Sequence, residues 1–128
     1  MVTVPDWINE FGEEYAVPEI IWQAEGITDH SWHNDISPSF GRFIPEHGDE
    51  YAHDLRIWVE HPDGSGREFG PAWDRFVVTY RTDRLEDEIP GVIRSPDDLV
   101  YTGNDPAAAL AAFMDALGLI YREVKRRG

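Results

Sequence analysis

Two stretches of alternating sequence constrain the fold of this chain more than any other feature. Both of them, residues 54–60 and residues 75–81, place apolar side chains at every second position. Because side chains on a strand point alternately to opposite faces, each stretch predicts a strand with one buried face. The apolar positions are Leu55, Ile57, Val59, Phe76, Val78 and Tyr80.

Charged residues at the ends of the two predicted strands complement each other. Asp54 and Glu60 bracket the first strand, and Arg75 and Arg81 bracket the second. Antiparallel pairing would set opposite charges across from one another, and each such pair stabilises a sheet by roughly 0.2–1 kcal/mol. We therefore interpret the two strands as the central hairpin of the fold.

Shorter patterns predict the remaining elements. We expect an amphipathic helix over residues 5–15 and strands over residues 19–25, 39–44 and 99–102. We expect a turn over residues 45–50, and the residue types over 61–66 also favour a turn. Residues 67–69 would extend the hydrogen-bonded ladder of the hairpin. Asp105 and Pro106 suit the cap and first turn of a C-terminal helix. Its apolar stripe would be Leu110, Phe113, Met114, Leu117, Tyr121 and Val124. Alternatively, Gly118 ends this helix and residues 119–124 form a strand.

These elements predict one α+β domain over residues 1–128. Its antiparallel sheet of about four to five strands would carry the C-terminal helix, with a short helix at the N-terminus. A length of 128 residues and a hydrophobic fraction of 41% suffice for one core.

The sequence contains no cysteine, so disulfides, thiolate catalysis and cysteine zinc sites are excluded. The start lacks signal-peptide features and no apolar run approaches ~20 residues, so we expect a soluble, cytoplasmic protein without membrane contact.

The net charge of −14 is distributed unevenly along the chain. Residues 1–41 contain no Lys or Arg, whereas the tail is basic. One explanation is a genome that favours arginine and acidic surfaces. The other is an acidic face that meets a basic partner. The acids of this region are Asp6, Glu10, Glu13, Glu14, Glu19, Glu25, Asp29 and Asp35.

The predicted N-terminal helix sorts its acids and its apolar residues onto opposite sides. The acidic side would carry Asp6, Glu10, Glu13 and Glu14, opposite a stripe that begins at Trp7. Like charges four residues apart without a basic partner cost a few tenths of a kcal/mol per pair. A basic surface that docks on the acidic side of the helix would offset this cost.

Trp58 lies on the strand face away from Leu55, Ile57 and Val59. Either the C-terminal helix covers that face, which is the alternative that we favour, or Trp58 is exposed and available as a contact residue.

The lead hypothesis is a non-enzymatic acidic binding protein that engages a basic protein surface. A concrete version is a phage- or plasmid-encoded inhibitor that occupies the nucleic-acid-binding site of its partner. We expect no cofactor and no direct nucleic-acid binding, and the oligomeric state stays open. The predicted partner-binding residues are Asp6, Glu10, Glu13, Glu14, Glu19, Glu25 and Trp58.

Two other functions stay open. A small metal-dependent hydrolase or lyase could use His30, His33 and Asp35, with His47 and His53 as further ligands, since imidazole and carboxylate suit Zn²⁺ or Fe²⁺. The third is a small-ligand module with its pocket between sheet and helix. No G-x-S-x-G, H-E-x-x-H or phosphate-loop signature occurs, so the sequence favours a binding protein over an enzyme.

Overall fold

The computed structural model of the protein describes residues 4–33, 35, 37–63, 74–93 and 99–128. Within them, antiparallel strands form a sheet of order β1-β2-β3-β4-β5. The strands are β1 (Thr28–Asp29), β2 (Ser39–Glu46), β3 (Asp49–Val59), β4 (Phe76–Thr82) and β5 (Leu99–Gly103). The helices are α1 (Asp6–Phe11), α2 (Glu19–Trp22) and α3 (Pro106–Arg127), with 3₁₀ turns at Glu13–Tyr15 and Leu85–Asp87. The predicted α+β class is confirmed.

The central hairpin has the predicted strands in antiparallel register, although the Asp54 carboxylate forms its ion pair with Arg56 on the same strand. Ile57 is the register partner of Val78, and Asp54 is the partner of Arg81. At the other end, the backbone N–H of Glu60 donates to the carbonyl of Arg75 at 2.8 Å. All six alternating apolar side chains are buried and belong to one core cluster. The period-two pattern therefore identified both the strands and their inner face.

Helix α3 packs on this inner face of the sheet. The side chain of Asp105 accepts a hydrogen bond from the Ala107 N–H at 3.0 Å, and Pro106 occupies the first turn, as predicted. None of the described helices combines the length and the apolar character needed to span a bilayer. The buried residues of α3 are Ala109, Phe113, Ala116, Leu117 and Ile120.

The predicted stripe on α3 is partly wrong. Met114 and Tyr121 are 45% and 38% exposed, because the buried face is rotated toward Ala109 and Ala116. Alanine is among the residue types that are often fully buried, which a count of large apolar residues does not anticipate. The alternative that Gly118 ends the helix is also wrong, since α3 continues to Arg127.

Trp58 lies on the opposite face of the sheet from α3. Its strand neighbours Ile57 and Val59 point into the core that α3 covers, and alternation turns Trp58 away from it. The preferred prediction, that α3 covers Trp58, is therefore wrong.

The N-terminal region departs from the sequence-based elements at two points. The predicted helix over 5–15 is broken at Gly12, whose φ of 97° is a left-handed value that glycine adopts without strain. The predicted strand over 19–25 is instead the short helix α2, which follows Pro18. Ile21 is fully buried and Ile20 is 46% exposed, so the burial of one side chain determined that this segment is a helix and not a strand.

The turn between β2 and β3 is tighter than the predicted turn over 45–50. The strands continue to Glu46 and from Asp49, which leaves the two residues His47 and Gly48. Both have positive φ angles, 54° and 79°, as in a type I′ turn. The expected ladder at residues 67–69 and most of the turn at 61–66 lie outside the described residues.

Truncation of Ile57 tests the assignment of the inner face. Ile57 has no exposed surface. Ile57→Ala should lower the free energy of unfolding by about 2–5 kcal/mol, measured by urea denaturation, because burial is lost and a cavity remains. The control Arg81→Ala, on an exposed side chain of β4, should change stability by about 0.5 kcal/mol or less. A loss below about 1 kcal/mol for Ile57→Ala would contradict the assignment.

Candidate functional site

Asp29 joins the loop after β1 to the start of α1. Its carboxylate accepts one hydrogen bond from the Trp7 N–H at 3.0 Å and another from the Ser31 N–H at 2.9 Å. The N–H of Trp7 is one of the first-turn donors that a helix leaves without an internal partner. Asp29 thus caps α1 from a distant segment and fixes residues 28–33 beside it.

This fixed loop presents Trp32 to solvent. Trp32 is 53% exposed, and its ring centroid lies 5.9 Å from that of His33. His33 Nδ1 lies 3.0 Å from Glu10 Oε2 on α1. An exposed indole therefore stands next to the acidic helix, on a backbone that hydrogen bonds hold in place.

We define the acidic segment as residues 6–25, and the structure changes how its acids are arranged. Glu10 is half-buried and bound to His33, a cation-capable partner that is remote in sequence. Gly12 interrupts the helix, so Glu13 and Glu14 follow a separate turn and do not continue the predicted arc of α1. The exposed acids of this segment are Asp6, Glu13, Glu14, Glu19 and Glu25.

Arg75 attaches the acidic segment to the central hairpin. Its Nη2 donates to the carbonyls of Tyr15 at 2.6 Å and Ala16 at 2.9 Å, and its Nε donates to the carbonyl of Glu60 at 3.2 Å. The guanidinium thus satisfies backbone acceptors where the 3₁₀ turn ends. No local sequence pattern could reveal this contact, because its partners lie about sixty residues apart.

Trp58, the remaining predicted partner-binding residue, belongs to a different surface. It is half-buried, its Nε1 donates to Thr79 Oγ1 at 2.9 Å, and the Arg56 guanidinium lies 5.6 Å from its ring centroid. The structure does not add Trp58 to the acidic segment. Trp32, which the sequence did not single out for binding, is the exposed tryptophan beside it.

The predicted metal ligands His30, His33 and Asp35 have separate surroundings. His30 is half-buried, with its ring centroid 5.0 Å from that of Phe43, whereas His33 binds Glu10. The N–H of Asp35 donates to the Trp32 carbonyl at 2.9 Å. Among the described residues, a different set of potential ligands converges to within 4.8 Å, and it consists of Glu46, His47 and Asp87.

A chain of buried, hydrogen-bonded polar side chains lies nearer the start of β3 than Trp58 does. His53 Nε2 is 2.8 Å from Glu46 Oε1, and His53 Nδ1 is 2.8 Å from the hydroxyl of Tyr80. Burial raises the pKa of Tyr80 to about 12, so its hydroxyl keeps its proton at neutral pH. That hydroxyl also accepts from the Ile89 N–H at 3.0 Å, so Tyr80, His53 and Glu46 form one buried chain of hydrogen bonds that is anchored to the backbone.

The sequence contained one usable signal for this chain of hydrogen bonds. His53 continues the inward alternation of Leu55, Ile57 and Val59 by one more step, and a histidine on an apolar face needs buried partners. The identity of those partners depends on strand register and could not be read from the pattern.

Comparisons with known protein families, with curated proteins and with solved structures found no match to this chain.

His30 should make stability depend on pH. Burial lowers the pKa of His30 from its ordinary value of 6.5, and Arg56 lowers it further. Below pH 6.5 the unfolded chain binds a proton that the folded chain does not bind until the lowered pKa is reached. The free energy of unfolding should therefore fall as pH drops from 6.5 toward that value.

Denaturation of the protein and of His30→Gln at pH 7.5 and at pH 5.5 isolates this contribution. The loss of stability on acidification should be smaller in the variant. A titration of the His30 ring by NMR with a midpoint at or above 6.5 would contradict the assignment.

Proposed function

We propose that this protein is a non-enzymatic binding protein whose acidic segment, together with Trp32, engages a basic surface of another protein. The observation that carries the proposal is the position of Trp32, 53% exposed on a loop that Asp29 ties to the acidic helix. Exposed indoles of this kind are common anchors of protein interfaces.

The charge around this anchor supports a basic partner. No Lys or Arg occurs in residues 1–41, and five acids of the segment are exposed. Opposite charges across an interface accelerate association and select the partner more than they slow dissociation. The apolar anchor would supply the slow dissociation, so the two features have complementary roles.

Hydrogen bonding lowers the conformational cost of binding at this site. Asp29 holds the Trp32 loop against α1, and Arg75 holds the carbonyls of Tyr15 and Ala16 against the hairpin. A surface that is ordered before the encounter loses less conformational entropy on association.

The partner class that we propose is a protein whose basic surface binds nucleic acid. Such surfaces concentrate Lys and Arg to neutralise phosphates. Occupation by an acidic protein would block them, which makes inhibition the expected consequence of binding. Competition between this protein and an oligonucleotide for the captured partner tests this part of the proposal.

Charge reversal tests the acidic segment. The triple variant Glu13→Lys, Glu14→Lys, Glu19→Lys should reduce the association rate with a partner captured from cells of the source organism by about 10-fold or more at low salt. These side chains are exposed, so the fold should be retained. Association kinetics at several salt concentrations provide the measurement, since salt screens steering.

The matched control reverses Glu50, Glu86 and Glu88. These acids are also exposed, and they lie near the start of β3 and beyond the end of β4, away from the acidic segment. This control changes the net charge equally and should bind with nearly the original kinetics. If both triples slow association alike, or neither does, the acidic segment is not the binding surface.

Trp32→Ala tests the apolar anchor. Loss of a central tryptophan typically costs at least about 2 kcal/mol of binding, so Kd should rise about 30-fold, mainly through faster dissociation. Tyr51→Ala is the control, because Tyr51 is a 58% exposed aromatic near the start of β3. Surface plasmon resonance separates the two rates. Unchanged dissociation for Trp32→Ala would remove Trp32 from the interface.

A further inference from the structure

The carboxylate of Glu46 is buried and only half satisfied. Its side chain is 3% exposed, and Oε1 lies 2.8 Å from His53 Nε2 and 3.4 Å from Arg127 Nη1. Oε2 is also buried, and none of the residues that the structure describes forms a hydrogen bond with it. An unsatisfied buried carboxylate oxygen is costly for a folded protein, so its presence calls for an explanation.

Two further ligand groups converge on this carboxylate. His47 Nε2 lies 3.8 Å from Glu46 Oε2, and one ligand atom from each of Glu46, His47 and Asp87 lies within 4.8 Å of the others. Asp87 is half-buried in the 3₁₀ turn after β4. Arg127 donates to the backbone carbonyl of Asp87 at 3.0 Å and holds that turn beside Glu46.

The backbone at His47 adopts a positive φ, which is uncommon for residues other than glycine. His47 has a φ of 54° at the first position of the type I′ turn, where asparagine, aspartate or glycine are preferred. Its side chain is 61% exposed and therefore free to turn toward an incoming ion.

We propose that Glu46, His47 and Asp87 form a binding site for a divalent first-row transition-metal ion, represented by Zn²⁺. One imidazole nitrogen and two carboxylate oxygens suit such ions, whereas Mg²⁺ and Ca²⁺ prefer oxygen ligands alone. Ligand bonds of about 2.0–2.2 Å place tetrahedral ligand atoms roughly 3.4 Å apart. The 3.8 Å between Glu46 and His47 therefore needs only a small side-chain rotation.

The hydrogen bonds behind Glu46 position it for this role. His53 fixes Oε1, which leaves Oε2 facing His47, and Tyr80 in turn fixes His53. Outer-shell partners of this kind orient a ligand before the ion arrives. The Arg127 guanidinium near Oε1 opposes the ion electrostatically but still leaves the two carboxylates in excess.

Three protein ligands leave a coordination position open. A cavity of about 280 Å³ borders the site and is lined by Pro45, Glu46, His47, Gly48, Val124 and Gly128. The fourth position can therefore hold water or a small ligand from solvent. The ion would also link the β2–β3 turn to the 3₁₀ turn Leu85–Asp87.

The test is calorimetric titration of the full chain with ZnCl₂ alone, together with thermal unfolding with and without Zn²⁺. We expect one ion per chain and a rise in Tm of several degrees, since a ligand that binds only the folded state stabilises it. MgCl₂ at the same concentration should produce neither effect. An absence of Zn²⁺ binding, or equal binding of Mg²⁺, would overturn the proposal.

Two variants locate the site without endangering the fold. His47→Asn creates the Asn-Gly pair that type I′ turns favour, so it removes the imidazole from a turn that should remain stable. Asp87→Asn removes a carboxylate at constant volume. Each variant should weaken Zn²⁺ binding at least 10-fold.

The matched control is His33→Asn, which removes an exposed histidine from the loop around Trp32. It should leave Zn²⁺ affinity unchanged. Loss of binding in His33→Asn with retention in His47→Asn would place the ion at the loop and overturn the site at Glu46. The outcome is independent of partner binding by the acidic segment.

Discussion

Burial of the inner sheet face beneath α3 is the interaction on which the rest of the structure depends. Phe113, Leu117 and Ile120 cover the alternating residues of β3 and β4, and apolar burial of this kind is the main favourable term in folding. Trp7, Val17 and Ile21 join the same cluster. The N-terminal segment consists of short helical elements, and these buried side chains and the Arg75 contacts hold its charged residues in a defined place.

Most of the sheet could be predicted because its strands are long enough to show a period. The register of Asp54 with Arg81 followed from charge complementarity, and the start of α3 followed from Asp105 and Pro106. The failures lie in short segments, where local pattern is ambiguous. Four residues of α2 offer no periodicity, so the burial of Ile21 decided the outcome, and Gly118 remained helical because the flanking turns pack on the sheet.

The candidate sites were predictable in composition but not in arrangement. The acids and the scarcity of early basic residues are sequence facts, whereas the contact of His33 with Glu10 and the cap from Asp29 to Trp7 depend on tertiary structure. The metal hypothesis placed imidazole and carboxylate ligands on His30, His33 and Asp35, which have separate surroundings. Glu46, His47 and Asp87 converge because the β2–β3 turn and the 3₁₀ turn Leu85–Asp87 come together in the tertiary structure, and this proximity could not be read from the sequence pattern.

The short first strand has a consequence for self-association. β1 pairs only with Phe40 and Gly41, so β2 beyond Gly41 forms the outer rim of the sheet in the described part of the chain. Open strand rims invite a second copy to add its own strand, which leads to aggregation. Here Arg42 holds its charged guanidinium at the rim, 5.4 Å from the Tyr121 ring centroid, and Pro45 lacks the N–H that a docking strand would need. This part of β2 thus disfavours the addition of a second strand through a charged side chain and a missing N–H donor.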